Sequence, residues 1–129
     1  MSYSHKDVEL ASFMITRLTD AWNGARIFYD QTSLREGSTW PMRIADALDS
    51  SRRIVSLYSH DYWTSKHCQM EFLAGFTRQT DTGKTVLFPV YLSEAKIPFM
   101  FRTLQYYDCR VNDRSKLASA CPRLVMDVR

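Results

Sequence analysis

The sequence predicts an α/β protein: a parallel sheet of about five strands with helices on both faces. Two observations carry this. At 129 residues with 45% apolar content, the chain is one domain large enough to bury a core. Short apolar runs then alternate with longer stretches whose apolar residues recur at helical spacing. Strands alternating with helices imply parallel strands joined by right-handed crossovers.

Each element has a local reason. "SHKD" at residues 4–7 fits a capping box, with the Ser4 hydroxyl accepting from the Asp7 N–H and the Asp7 carboxylate reaching back. Ala11, Met14, Leu18 and Ala21 follow on one helical face, and Gly24 is placed to stop the helix. "ARIFY" (25–29) is a short apolar strand. "DQTSLREGST" (30–39) is a long polar loop, of a size that is often functional. Pro41 suits the first turn of a helix turning Ile44, Ala45 and Leu48 inward, ended by Ser50 and Ser51.

"RRIVSLY" (52–58) is the next strand, and a helix beginning between Ser59 and Ser65 runs to about Arg78. "KTVLFPVYL" (84–92) follows, and Pro89, which cannot donate to a ladder, implies an edge or a bulge. "LQYYDC" (104–109) is a last short strand. Residues 113–128 form a closing helix with Leu117, Cys121, Leu124 and Val128 on its stripe, and Pro122 in a first turn or at a kink. The architecture expected is three-layered and flavodoxin-like, with strands near residues 2, 27, 55, 88 and 107. In such sheets the loops after the strand ends line the ligand crevice. "SYSHKD" (2–7) is expected to be the first of these loops, with most of its strand missing upstream.

Composition removes several function classes. The 17 basic residues are scattered and net charge is only +3, so no nucleic-acid footprint is indicated. The longest apolar run, "TVLFPVYL", is far short of a membrane span, and no basic-then-apolar leader opens the chain. Cys68, Cys109 and Cys121 are odd in number and lack CxxC spacing, which favours reduced thiols in a cytoplasmic protein over disulfides or zinc. With His5, His60 and His67 they make no metal set. Gly24, Gly37, Gly75 and Gly83 form neither GxGxxG nor GxxxxGK, and there is no GxSxG turn. His67 and Cys68 are helix neighbours pointing about 100° apart, so they do not read as a thiol–imidazole pair.

The order of "SYSHKD", "FYDQTSLREGSTW" and "IADALDSSRRIVSLYSHDYWTSKHCQMEF" resembles the TIR (Toll/interleukin-1 receptor homology) domain in its bacterial form, over nearly the whole chain. "SYSHKD" resembles the family's box 1, "DQTSLREG" its long loop after the second strand, and "SKHCQMEF" the helix motif carrying its glutamate. The resemblance implies a single TIR domain over residues 1–129, part of a larger protein with a sensor domain. It implies either an enzyme cleaving NAD+ in antiphage-like immune signalling, with ADP-ribose or a cyclic isomer as product, or a non-catalytic TIR scaffold. NAD+ enters as substrate; no cofactor, metal, nucleic acid or membrane is implied.

Site residues follow from the same resemblance. Glu71 is the expected catalytic group, and Tyr3, Ser4, Asp30, Trp40 and His67 the substrate contacts. Leu34, Arg35, Glu36 and Gly37 are the loop expected to meet the next protomer in a head-to-tail oligomer or filament. His67 stands where the family usually has Trp; imidazole stacks on a nucleotide ring with less area, and Trp63 lies one turn back. Trp40 reads equally as a core residue capping the second helix, Tyr3 and Ser4 as strand-end and cap residues, and Asp30 as a turn former.

The helix geometry bears on Glu71 independently. At about 100° per residue, Cys68, Phe72, Gly75 and Phe76 form a buried stripe and Glu71 falls at its border, on the same edge as His67 and Arg78. The bland alternative is an exposed acid contacting His67 at i,i+4. One carboxylate is chemically adequate for NAD+. Glycosidases with alkoxide leaving groups need a second group to protonate them, whereas nicotinamide departs neutral.

Overall fold

The computed structural model describes residues 1–29 and 42–128. The expectations for Asp30, Leu34, Arg35, Glu36, Gly37, Trp40 and Pro41 lie outside the described residues. Three strands form a parallel sheet in the order β1 (Ile54–Tyr58), β2 (Leu87–Tyr91), β3 (Tyr107–Asp108). Ile54 pairs with Leu87 and Tyr58 with Tyr91, while β3 meets only Val90 and Tyr91.

One further segment extends the sheet beyond β1, and another lies beside it. Ser2 bridges Ser56 in parallel, its N–H donating to the Val55 carbonyl at 2.7 Å and its carbonyl accepting from Leu57 at 3.0 Å. Phe28 in turn accepts from the Met1 amine at 2.6 Å. The segments near residues 2, 55, 88 and 107 thus lie side by side in a flavodoxin-like sheet, with residues 25–29, expected as a strand, beside Met1 but without ladder pairing.

Strand periodicity divides the core into two layers. Val55, Leu57, Val90 and Leu92 pack on α1 (Val8–Ala21) and α5 (Arg114–Val128), through Met14, Leu18, Leu117 and Leu124. Ile54, Tyr58, Leu87 and Tyr91 face the other way, toward α3 (His60–Thr64) and α4 (Lys66–Thr82), with Leu48 of α2 (Met42–Ser50) against the same cluster.

Several local details depart from expectation. The Ser4 hydroxyl accepts from Lys6 N–H at 3.3 Å, and the Asp7 carboxylate accepts from Ser59 at 2.5 Å, so residues 4–7 form a 3-10 turn and no reciprocal capping box. The helix expected from the Ser59–Ser65 region is two helices: Ser59 caps α3 by accepting from Tyr62 N–H, and Ser65 caps α4 by accepting from Cys68 N–H. α4 ends at Gly83, whose φ of 69° is the left-handed closure glycine favours.

Pro89 sits in the middle strand. Cys109 N–H donates to the Tyr91 carbonyl, so the missing donor of Pro89, two residues earlier, faces the β3 side, where pairing begins only at Val90. Pro122 lies inside α5 on its exposed face and not in its first turn.

Candidate active site

Glu71 lies half-buried on α4, at the border of the stripe formed by the buried Cys68, Phe72 and Gly75. Close approach of α4 to the sheet depends on Gly75, where an added Cβ would sit 2.6 Å from Leu87 Cδ2 and 3.0 Å from Ile54 Cδ1. That approach sets Glu71 beside the end of the Ser2 segment. Ser2 Oγ donates to Glu71 Oε1 at 2.9 Å and lies 3.0 Å from the Tyr62 hydroxyl. Ser2 is only 2% exposed and Tyr62 fully buried. Burial holds the Tyr62 phenol well above its usual range, so it stays protonated at neutral pH.

The small cleft beside the carboxylate is lined by Met1, Ser2, Phe28, Ile44, Leu48 and Arg53, among others. Burial lowers the Met1 amine to about 6, with the Glu71 anion opposing the shift. The cleft wall from α2 is held by Arg78, two turns beyond Glu71. Its guanidinium donates to the carbonyls of Leu48, Asp49 (3.2 Å) and Ser51 at the end of α2. A cation there also suits the negative end of the α2 dipole.

The cleft volume is about 30 Å³, room for a water or two. A larger cleft, about 860 Å³, adjoins it past Met1 and is lined by Trp22, Ile27, Val55 and Val128. It runs along the N-terminal end of β1, which the small cleft shares through Arg53 and Ile54. Of its arginines, Arg52 donates to the Val128 carbonyl at 2.7 Å and Arg53 to the Asp127 carbonyl at 3.4 Å.

The other expected contacts are dispersed. Tyr3 is buried in the α1/α5 core layer, and Ser4 caps the 3-10 turn. His67 is half-buried, its Nδ1 enclosed and without a hydrogen-bond partner among the described residues. Trp63 cannot stand in for a stacking aromatic at position 67. It is locked among Tyr58, Tyr62 and Phe72 with centroids about 5 Å away and stacks on Phe101.

Burial pushes the Cys68 thiol up to about 12, leaving almost no thiolate nucleophile. Ser2 was not among the expected contacts; its place in box 1 next to Tyr3 was the available signal. Among the described residues no three His, Cys, Asp or Glu side chains converge as a metal site requires, and no helix is long and apolar enough to cross a membrane.

The TIR domain of the Toll-related receptor TRR-2 from the lower metazoan Hydra magnipapillata has a similar structure, with a TM-score of 0.71. The match covers 96% of this chain and 91% of that one at 18% identity, a likeness of fold. No curated protein matches the sequence. The family model of the TIR domain matches residues 1–125, so the chain belongs to the TIR domain family.

Proposed function

We propose that this TIR domain cleaves the nicotinamide–ribose bond of NAD+, with Glu71 as the catalytic anion. One observation carries the reading: Glu71 is drawn out of solvent at a cleft edge and held by a buried hydroxyl, Ser2 Oγ, at 2.9 Å. A solvated helix acid needs no such support. In the reaction the C1′–N bond breaks and its electron pair leaves with nicotinamide as a neutral base. Positive charge grows on C1′ and the ring oxygen. A fixed carboxylate beside the ribose stabilises that charge where it develops. Water then adds to C1′, giving ADP-ribose and a proton; attack by the adenine gives a cyclic isomer.

The cleft of about 30 Å³ does not hold a dinucleotide by itself. The proposed substrate site is therefore completed on assembly, with Leu34, Arg35, Glu36 and Gly37 meeting a neighbouring protomer and Ser4, Asp30, Trp40 and His67 toward the substrate, while Tyr3 stays in the α1/α5 core. Head-to-tail contacts of this kind propagate as filaments instead of closing. We place the domain in a bacterial, cytoplasmic, antiphage-type pathway, silent until a fused or associated sensor clusters it.

The second reading, a scaffold for TIR–TIR contacts, is favoured by exposed apolar side chains, Met70 and Leu73 on α4 and Phe99 and Met100 on the turn after β2. Incubation with NAD+ over a dilution series, with products separated by chromatography, distinguishes the two. Turnover per protomer should rise with concentration, since the active species is oligomeric, and Glu71→Gln should lower it by ~100-fold or more. An inactive parent at concentrations where it self-associates supports the scaffold.

A further inference from the structure

We propose that Ser2 and Tyr62 are positioning residues, fixing the Glu71 carboxylate through a directed chain from Tyr62 O–H to Ser2 Oγ–H to Glu71 Oε1. Its catalytic meaning rests on the reading of Glu71 given above.

The direction follows from donor counting. An ionised carboxylate only accepts, so the single Ser2 hydrogen goes to Glu71 Oε1 at 2.9 Å. The Ser2 oxygen is then left to accept, and the Tyr62 hydroxyl at 3.0 Å must be its donor. Donation from Tyr62 polarises the Ser2 hydroxyl and strengthens its bond to the anion.

Each member is immobilised by a different element. Ser2 is held by two backbone bonds to β1, Tyr62 by the Ser59 cap and the aromatic cluster, and Glu71 by α4. The carboxylate is therefore aimed by groups 69 and 9 residues away in sequence, a registry that α4 alone does not impose. Both residues are buried, and the cleft beside Ser2 has room for no more than a water or two.

Among the described residues, the charged and titratable groups around Glu71 include the Met1 amine, Tyr62, Cys68, the Arg53 of the cleft lining and, one turn back on α4, His67. None but Tyr62 is altered by the test. A donated hydrogen bond stabilises the ionised carboxylate and lowers its pKa, so removing the donor raises it. In the full chain with ¹³C-carboxyl-labelled glutamate, Ser2→Ala should move the Glu71 titration midpoint up by about one to two pH units. Tyr62→Phe, which keeps the ring and the packing, should move it the same way by less. Ser2→Thr, which keeps a hydroxyl, should restore the parent midpoint.

In NAD+ turnover the acid limb of kcat should shift in parallel. The titration needs no substrate, so shifted midpoints in a protein that never cleaves NAD+ would sustain the chain and remove only the reading of the reaction. Midpoints unchanged in both Ser2→Ala and Tyr62→Phe overturn the proposal. A loss of melting temperature without a titration shift does so too, because that is all a structural role produces.

Discussion

Replacing Gly75 by Ala tests the close approach that carries Glu71 to the sheet. In an exposed helix interior Gly→Ala stabilises by about 1 kcal/mol through propensity. At Gly75 the new methyl would lie 2.6 Å from Leu87 Cδ2 and 3.0 Å from Ile54 Cδ1, both inside contact distance. Leu87 and Ile54 are 5% and 4% exposed and are register partners on adjacent strands. Leu87 has little room to swing toward Ile54, so the methyl is accommodated only by straining the two buried side chains or by lifting α4. Overpacking of this kind costs about 1–3 kcal/mol, leaving a net loss of about 1 kcal/mol after the propensity gain. For a chain of this size the melting temperature should fall by about 3–6 °C.

Thermal unfolding by circular dichroism measures the fall. A double-mutant cycle with Leu87→Ala should recover part of it, because the two sites share one contact. A Gly75→Ala protein that melts at or above the parent temperature refutes the packing argument. Strict additivity with Leu87→Ala refutes its assignment to that contact.

Two further outcomes are expected. Arg78→Met keeps the apolar stem but removes the donors to three carbonyls at and just past the end of α2; it should cost about 1–2 kcal/mol in urea unfolding, and an unchanged midpoint would show that α2 needs no such anchor. Hydrogen bonds from Arg110 hold the Asp108 carboxyl down to about 2 against a usual 3.8. Its lowered folded-state pKa makes its contribution present above the unfolded value and lost as pH falls from 3.8 toward 2. Carboxyl chemical shifts should place the midpoint near 2, and Arg110→Ala should return it toward 3.8; coincident titrations would dismiss the pairing.

The periodic features were legible in the sequence because they are set by the chain's own geometry. Helical spacing marked Met14 and Leu18 on α1, Leu117 and Leu124 on α5, and the stripe of Cys68, Phe72 and Gly75, all of them buried. The same spacing put Glu71 at the stripe's border, where it lies. What periodicity cannot encode is which remote groups meet. The exchange of a capping box for an Asp7–Ser59 bond spans 52 residues, and the Arg78 grip on α2 spans about 30.

Pro89 reads as an edge or bulge signal by itself, yet it stands in the middle strand, because only the partner's length decides whether its missing donor is needed. Trp63 reads as a spare stacking ring until Phe101, 38 residues on, closes over it. Ser2 shows the limit most clearly: as a residue type it is an ordinary polar side chain near the start of the chain. Its role arises because the fold brings it, buried, between Tyr62 and Glu71. Local sequence determines the path of each element through backbone sterics and side-chain period, while the partners of a buried polar group are decided by which surfaces the tertiary fold presses together.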